Sequence, residues 1–177
     1  MAEIYLHEDD FGQIEILPIS LWQYCAGKMR EIDEFSEQHK TDFGWNEIYV
    51  REEPPESLSD LSISLSDFKT CAEKTLVPYS KVTTGYSSHI ETCKNCFAWG
   101  IADKSLTIFC TVLQKNEVAH ITLDFGCFDQ NTLQTALETF GNFPKSSELI
   151  IADWRWSKLA KLADEQSLHE YLNEHIC

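Results

Sequence analysis

Residues 96–125, CFAWGIADKSLTIFCTVLQKNEVAHITLDF, decide the fold. Three runs, Cys96–Ala102, Leu106–Leu113 and Glu117–Phe125, are rich in aliphatic, aromatic and β-branched residues, with short polar breaks at Asp103-Lys104 and Lys115-Asn116. Runs of this length with such breaks read as strands joined by hairpin turns. They predict an antiparallel meander, preceded by a further strand at Lys81–Tyr86.

Downstream, Asp129 can cap a helix whose Leu133, Ala136, Leu137 and Phe140 share one face, and Gly141 suits a left-handed turn at its end. Glu148–Trp154 reads as a strand, and Asp164 to about His175 as an amphipathic helix with Leu168, Tyr171 and Leu172 inward. Upstream, Glu3–His7 and Gln13–Leu17 alternate about the turn-like Glu8–Gly12, which predicts a β-hairpin with an acidic tip. Pro18 ends that strand. Helical spacing then runs from Ile19 to about His39, with Trp22, Cys25, Ala26, Met29, Ile32 and Ser36 on one face. Glu47–Arg51 is expected as a strand, Leu61–Leu65 as a short strand and Asp67–Leu76 as a short helix before Pro78. The acidic, proline-broken stretch Glu52–Ser57 makes 52–60 the expected mobile loop. Together these elements predict a single α+β domain over 1–177, a mainly antiparallel sheet with amphipathic helices packed on it.

A chain of 177 residues, 43% hydrophobic, can bury one substantial core. It lacks a run of roughly 20 apolar residues that could span a bilayer. The first ten residues also lack a basic leader, so a cytoplasmic location without membrane association is expected. Seven cysteines form no framework of the secreted type, which predicts mostly reduced thiols, with Cys110 in the core and Cys177 without a packing role.

Charge is the feature that speaks about partners. The chain carries −15, and the first 60 residues, with 15 acidic against four basic side chains, hold −11 of it. Such a field repels phosphate backbones and attracts basic proteins. Nucleic acid is therefore excluded as the expected ligand. The candidate contact residues are Glu8, Asp9 and Asp10 at the tip, Glu31, Glu34 and Glu37 on the solvent arc of the helix, and Glu52 and Glu53 on the loop. Arg30 can pair with Glu34 at i, i+4, whereas Asp33 and Glu37 repel each other at the same spacing.

Motifs for chemistry are incomplete. His89-x3-Cys93-x2-Cys96 offers a zinc at most three ligands, and a fourth would have to come from Cys110, His120 or Cys127. Free cysteines at a strand entrance are the simpler reading, so neither metal nor cofactor is expected. His7-Glu8-Asp9-Asp10 lacks the spacing of a calcium loop. Gly-x-Ser-x-Gly, a phosphate-binding glycine loop and His-Glu-x-x-His are all missing. A nucleophile at Cys93 or Cys127 with His89 or His120 as base could be assembled only by the fold. Trp22 and Trp99 are expected in the core, and Trp154 and Trp156 on one common face beneath the last helix.

The N-terminal Glu8-Asp9-Asp10-Phe11-Gly12-x-Ile14-Glu15-Ile16-Leu17-Pro18, the amphipathic helix, Phe43-Gly44-Trp45 before Ile48-Tyr49-Val50-Arg51, and Leu149–Trp154 carry a resemblance. In these features the chain resembles immunity proteins of bacterial contact-dependent growth inhibition and related polymorphic toxin systems. The resemblance implies a cytosolic toxin inhibitor that covers the active site or substrate surface of a cognate toxin domain, frequently a nuclease. The absence of any complete catalytic motif separately leads to the expectation of a non-enzymatic monomer or weak dimer. A basic nuclease would be captured through the acidic surface by electrostatic steering. A zinc-stabilised cytosolic adaptor and a cysteine-dependent hydrolase stand as the alternatives.

Overall fold

The run at 96–125 folds as expected into three consecutive antiparallel strands, in a computed structural model that describes residues 2–86, 89–113 and 116–177. In chain order the strands are β1 (Glu3–Tyr5), β2 (Ile14–Pro18), β3 (Lys40–Thr41), β4 (Gly44–Trp45), β5 (Val77–Pro78), β6 (Lys81–Tyr86), β7 (His89–Thr92), β8 (Cys96–Gly100), β9 (Leu106–Val112), β10 (Val118–Phe125), β11 (Leu149–Asp153) and β12 (Lys158–Lys161). The α-helices are α1 (Trp22–Gln38), α2 (Leu65–Ala72), α3 (Gln130–Gly141) and α4 (Glu165–Asn173). The fold is α+β.

A seven-stranded sheet, ordered β12-β11-β2-β10-β9-β8-β5 and antiparallel throughout, is the frame. Its two faces follow from the period of two along each strand. On one face, Ile16, Ile121, Cys110 and Ile151 meet Phe68 of α2, Phe140 of α3 and Leu172 of α4 in the largest core cluster. On the other, Leu17, Ile150 and Ala152 receive Cys25 and Met29 of α1, while Ala98 and Phe109 receive Ile4 and Val82 of a small sheet ordered β1-β6-β7. The N-terminal third thus supplies the interior strand β2 and, on this second face, α1 and β1. Capping follows the sequence: the Asp129 carboxylate accepts the Thr132 N–H at 2.7 Å, and Asp164 accepts that of Ser167 at 3.1 Å. Each cap contributes about 1 kcal/mol.

Several expectations are corrected. β1 and β2 do not form a hairpin, because β1 pairs in parallel with β6 and β2 lies between β10 and β11. Glu47–Arg51 has no strand partner. Leu61–Leu65 is not a strand. A 3-10 turn at Leu58–Leu61 closes with a Ser57/Asp60 capping box, and Leu58 is buried, so the expected loop 52–60 ends on a core anchor. α2 starts earlier than expected because Ser64 accepts the Asp67 N–H. Gly141 ends α3 inside the helical region, and the left-handed residue is Lys145. Asp103-Lys104 forms the β8–β9 turn, with Lys104 left-handed, whereas Lys115 of the other expected turn lies outside the described residues. Cys127 and Cys177 are joined in a disulfide, while Cys25, Cys71, Cys93, Cys96 and Cys110 are free. Trp154 and Trp156 do not share a face. Asp153 accepts the N–H groups of Arg155 and Trp156 at 3.0 and 3.2 Å, which ends the strand alternation. Trp154 then packs with the α1 cluster and Trp156 stacks on His175.

Among the described residues, no helix is long and apolar enough to cross a membrane.

Candidate partner-binding surface

Glu8, Asp9 and Asp10 form an exposed 3-10 turn whose first free amide, Asp9 N–H, is taken by His7 Nδ1 at 3.2 Å. Gly12 then turns the chain at φ +71°, and a Cβ there would meet Arg51 Nη2 at 3.4 Å. Arg51 is the tie between this turn and the acidic loop. It donates to Gly12 O at 3.1 Å, lies 3.0 Å from Glu15 Oε1, and covers the Trp154 ring at 4.1 Å. Trp154 Nε1 donates to the same carboxylate at 2.7 Å. Burial nevertheless raises the Glu15 pKa, with Arg51 opposing it. The four basic residues of the first 60 therefore include one consumed internally.

A cavity of about 260 Å³ opens beside this latch, bounded by Phe11, Glu15, Arg51, Glu52, Glu53 and His120. Glu52 and Glu53 are exposed on its rim. On α1, Glu31, Glu34 and Glu37 all face solvent, as their spacing requires. They are not equivalent. Glu31 accepts from Lys28 Nζ at 2.7 Å and from the Tyr49 hydroxyl at 3.3 Å, and the Lys28 hydrogen bond lowers its pKa. Glu37 lies 3.6 Å from Lys40, while Glu34 has no ion-pair partner among the described residues. The expected Arg30–Glu34 pair is not made, since Arg30 Nε donates to Ala26 O at 3.4 Å. Asp33, expected to repel Glu37, accepts the Ser157 hydroxyl at 2.8 Å.

The cysteine motif divides. Cys93 and Cys96 border one mainly apolar cavity of about 440 Å³, together with Leu6, His7 and Phe11, whereas His89 sits on β7 opposite Tyr86. Among the described residues, no group of three or more His, Cys, Asp or Glu is arranged to hold a metal ion. Burial raises the Cys93 thiol and pushes Cys96 up to about 11, the reverse of the thiolate character a nucleophile needs. Cys127, the other nucleophile considered, is held in the disulfide.

Sequence reasoning missed two features of this surface. The Arg51–Glu15–Trp154 latch had a signal in Arg51, the one lysine or arginine within residues 41–60. The second is an exposed apolar run: Phe43, Trp45, Ile48 and Val50 are 101, 64, 88 and 84% exposed. Their signal was four large apolar side chains in one short stretch, of which the strand expectation at Glu47–Arg51 took in Ile48 and Val50.

No protein-family model matches the chain, and neither a curated protein nor a solved structure matches it.

Proposed function

We propose that this chain is a non-catalytic, toxin-neutralising immunity protein, which binds a basic partner domain through its acidic layer. The toxin domain proposed is a nuclease, whose basic cleft would match the layer. The observation that carries the reading is that the acidic turn, the outer arc of α1 and the segment 42–56 are tied together, Arg51 bonding Gly12 O just after the turn and Tyr49 bonding Glu31 of α1, while α1 packs on the sheet face opposite the other three helices. The concentrated −11 of the first 60 residues is thereby presented largely in one layer. The protein is proposed to act in the cytoplasm as a monomer or weak dimer, without nucleic acid or membrane. Disulfides are uncommon in that reducing compartment, so the redox state of Cys127 and Cys177 in cells directly checks the location.

The reading expects a toxin gene beside this one, and a neighbourhood that holds none overturns it; the product of that gene is the partner for the binding test. Its association should slow steeply as salt rises, because the Debye length falls from about 10 Å at 0.1 M to about 3 Å at 1 M. Charge reversal at Glu8, Asp9, Asp10, Glu34, Glu52 and Glu53 should cut the on-rate about tenfold or more, with dissociation changing less. Glu31 is left intact because it ties α1 to Tyr49. An on-rate indifferent to both salt and reversal overturns the reading.

A further inference from the structure

The segment after α1 inverts the usual logic of an extended chain. Tyr49 and Arg51 turn inward: Tyr49 packs edge-on to Phe35 at 5.4 Å and bonds Glu31, and Arg51 enters the latch. Ile48 and Val50, the aliphatic positions between and before them, project into solvent. The preceding β3–β4 hairpin does the same with Phe43 at its tip and Trp45 on its second strand. Its shape rests on main-chain groups and on partners other than these two aromatics. The Thr41 hydroxyl bonds Gly44 O at 2.9 Å, Asn46 N–H bonds His39 O at 3.1 Å, His39 lies 3.4 Å from Glu47, and its ring stacks on Phe35 at 3.9 Å. Four large apolar side chains are held outward on an anchored scaffold. Such rigid apolar anchors within a polar rim are the usual make-up of binding hot spots, and their preorganisation reduces the ordering cost of association.

The surroundings select the occupant. Residues 31–56 carry nine acidic side chains against Lys40 and Arg51. A second copy docking symmetrically would bring the acidic rims of the two chains together, and an anionic lipid surface would be repelled. We infer that Phe43, Trp45, Ile48 and Val50 are the apolar anchors by which this protein grips a basic protein partner, inserting into an apolar cleft rimmed by lysine and arginine. The inference rests on the proposed function and divides the labour within it: carboxylates set the rate of encounter, and the hairpin sets the lifetime of the complex.

The test places the photo-crosslinking residue p-benzoylphenylalanine at position 43 of the full chain, made in cells that carry its gene. The expected adduct joins a second protein through a peptide rich in lysine and arginine. That protein, purified, should leave the double variant Phe43→Ser, Trp45→Ser at least tenfold faster than the unmodified chain, with association and its salt dependence retained. Circular dichroism checks that both chains are folded. Adducts confined to a second copy or to lipid, the absence of any adduct, or an unchanged dissociation rate each overturn the inference. An unchanged dissociation rate with salt-steered association removes the anchors alone. Anchor-dependent dissociation with salt-independent association instead removes the acidic reading and, with it, the basic partner.

Discussion

Asp153 is fully buried at the end of β11 and its carboxylate is almost completely used. One oxygen takes two turn amides and lies 3.6 Å from Arg155 Nε, and the other accepts the Tyr171 hydroxyl at 2.9 Å. Asp153→Ala strands all of these donors and is expected to lower unfolding free energy by about 3 kcal/mol in urea titration, with Asp153→Asn costing less. Nearby His175 is buried against Phe125, Phe128 and Trp156. Burial lowers its pKa from 6.5, with Asp153 and Glu174 opposing and Arg155 reinforcing the shift. The unfolded chain therefore binds the proton first as pH falls. Stability contributed by His175 is present above 6.5 and is lost on acidification below it, down to the folded pKa. His175→Gln should flatten the stability slope in that window, as read from urea midpoints between pH 7 and pH 5.

Among the elements, the segments on either side of the disulfide carry a separable energy. Cys127 and Cys177 are 50 residues apart in sequence, and beside them Phe128 N–H bonds His175 O at 2.8 Å. Closing a loop of that length stabilises by about 4 kcal/mol in the chain-entropy model. Cys127→Ser should lower the melting temperature under oxidising conditions and abolish its response to reductant, as measured by calorimetry. The element boundaries were largely legible because alternation and capping are local: β8 to β11, α3 and α4 lie close to where the sequence puts them. Pairing was not. Alternation in Glu3–His7 and Gln13–Leu17 reports a buried side but not its neighbour, and only the burial of Leu17 and Pro18 beyond Ile16 marks β2 as a strand covered on both faces. β7 went unseen because all four of its residues are exposed, so pairing there leaves no hydrophobic pattern. The same locality explains the surface. Carboxylates announce themselves by type, whereas Ile48 and Val50 look like strand interior until the missing partner turns them outward.

At the scale of the whole molecule, β2 sits inside the main sheet, third of its seven strands, between strands drawn from the middle and the end of the chain. Trp154 bonds Glu15 across 139 residues, so the sheet cannot close around local contacts. High contact order slows folding, and refolding followed by tryptophan fluorescence is expected on the millisecond-to-second scale. A chain ending at Phe143 lacks β11 and should show no cooperative unfolding transition. Synthesis adds a further delay: at 5–20 residues per second, β2 leaves the ribosome roughly ten seconds before β11 is made. Through that interval the nascent Ile14–Pro18 strand lacks its β11 neighbour, so the main sheet cannot be completed until translation is nearly finished.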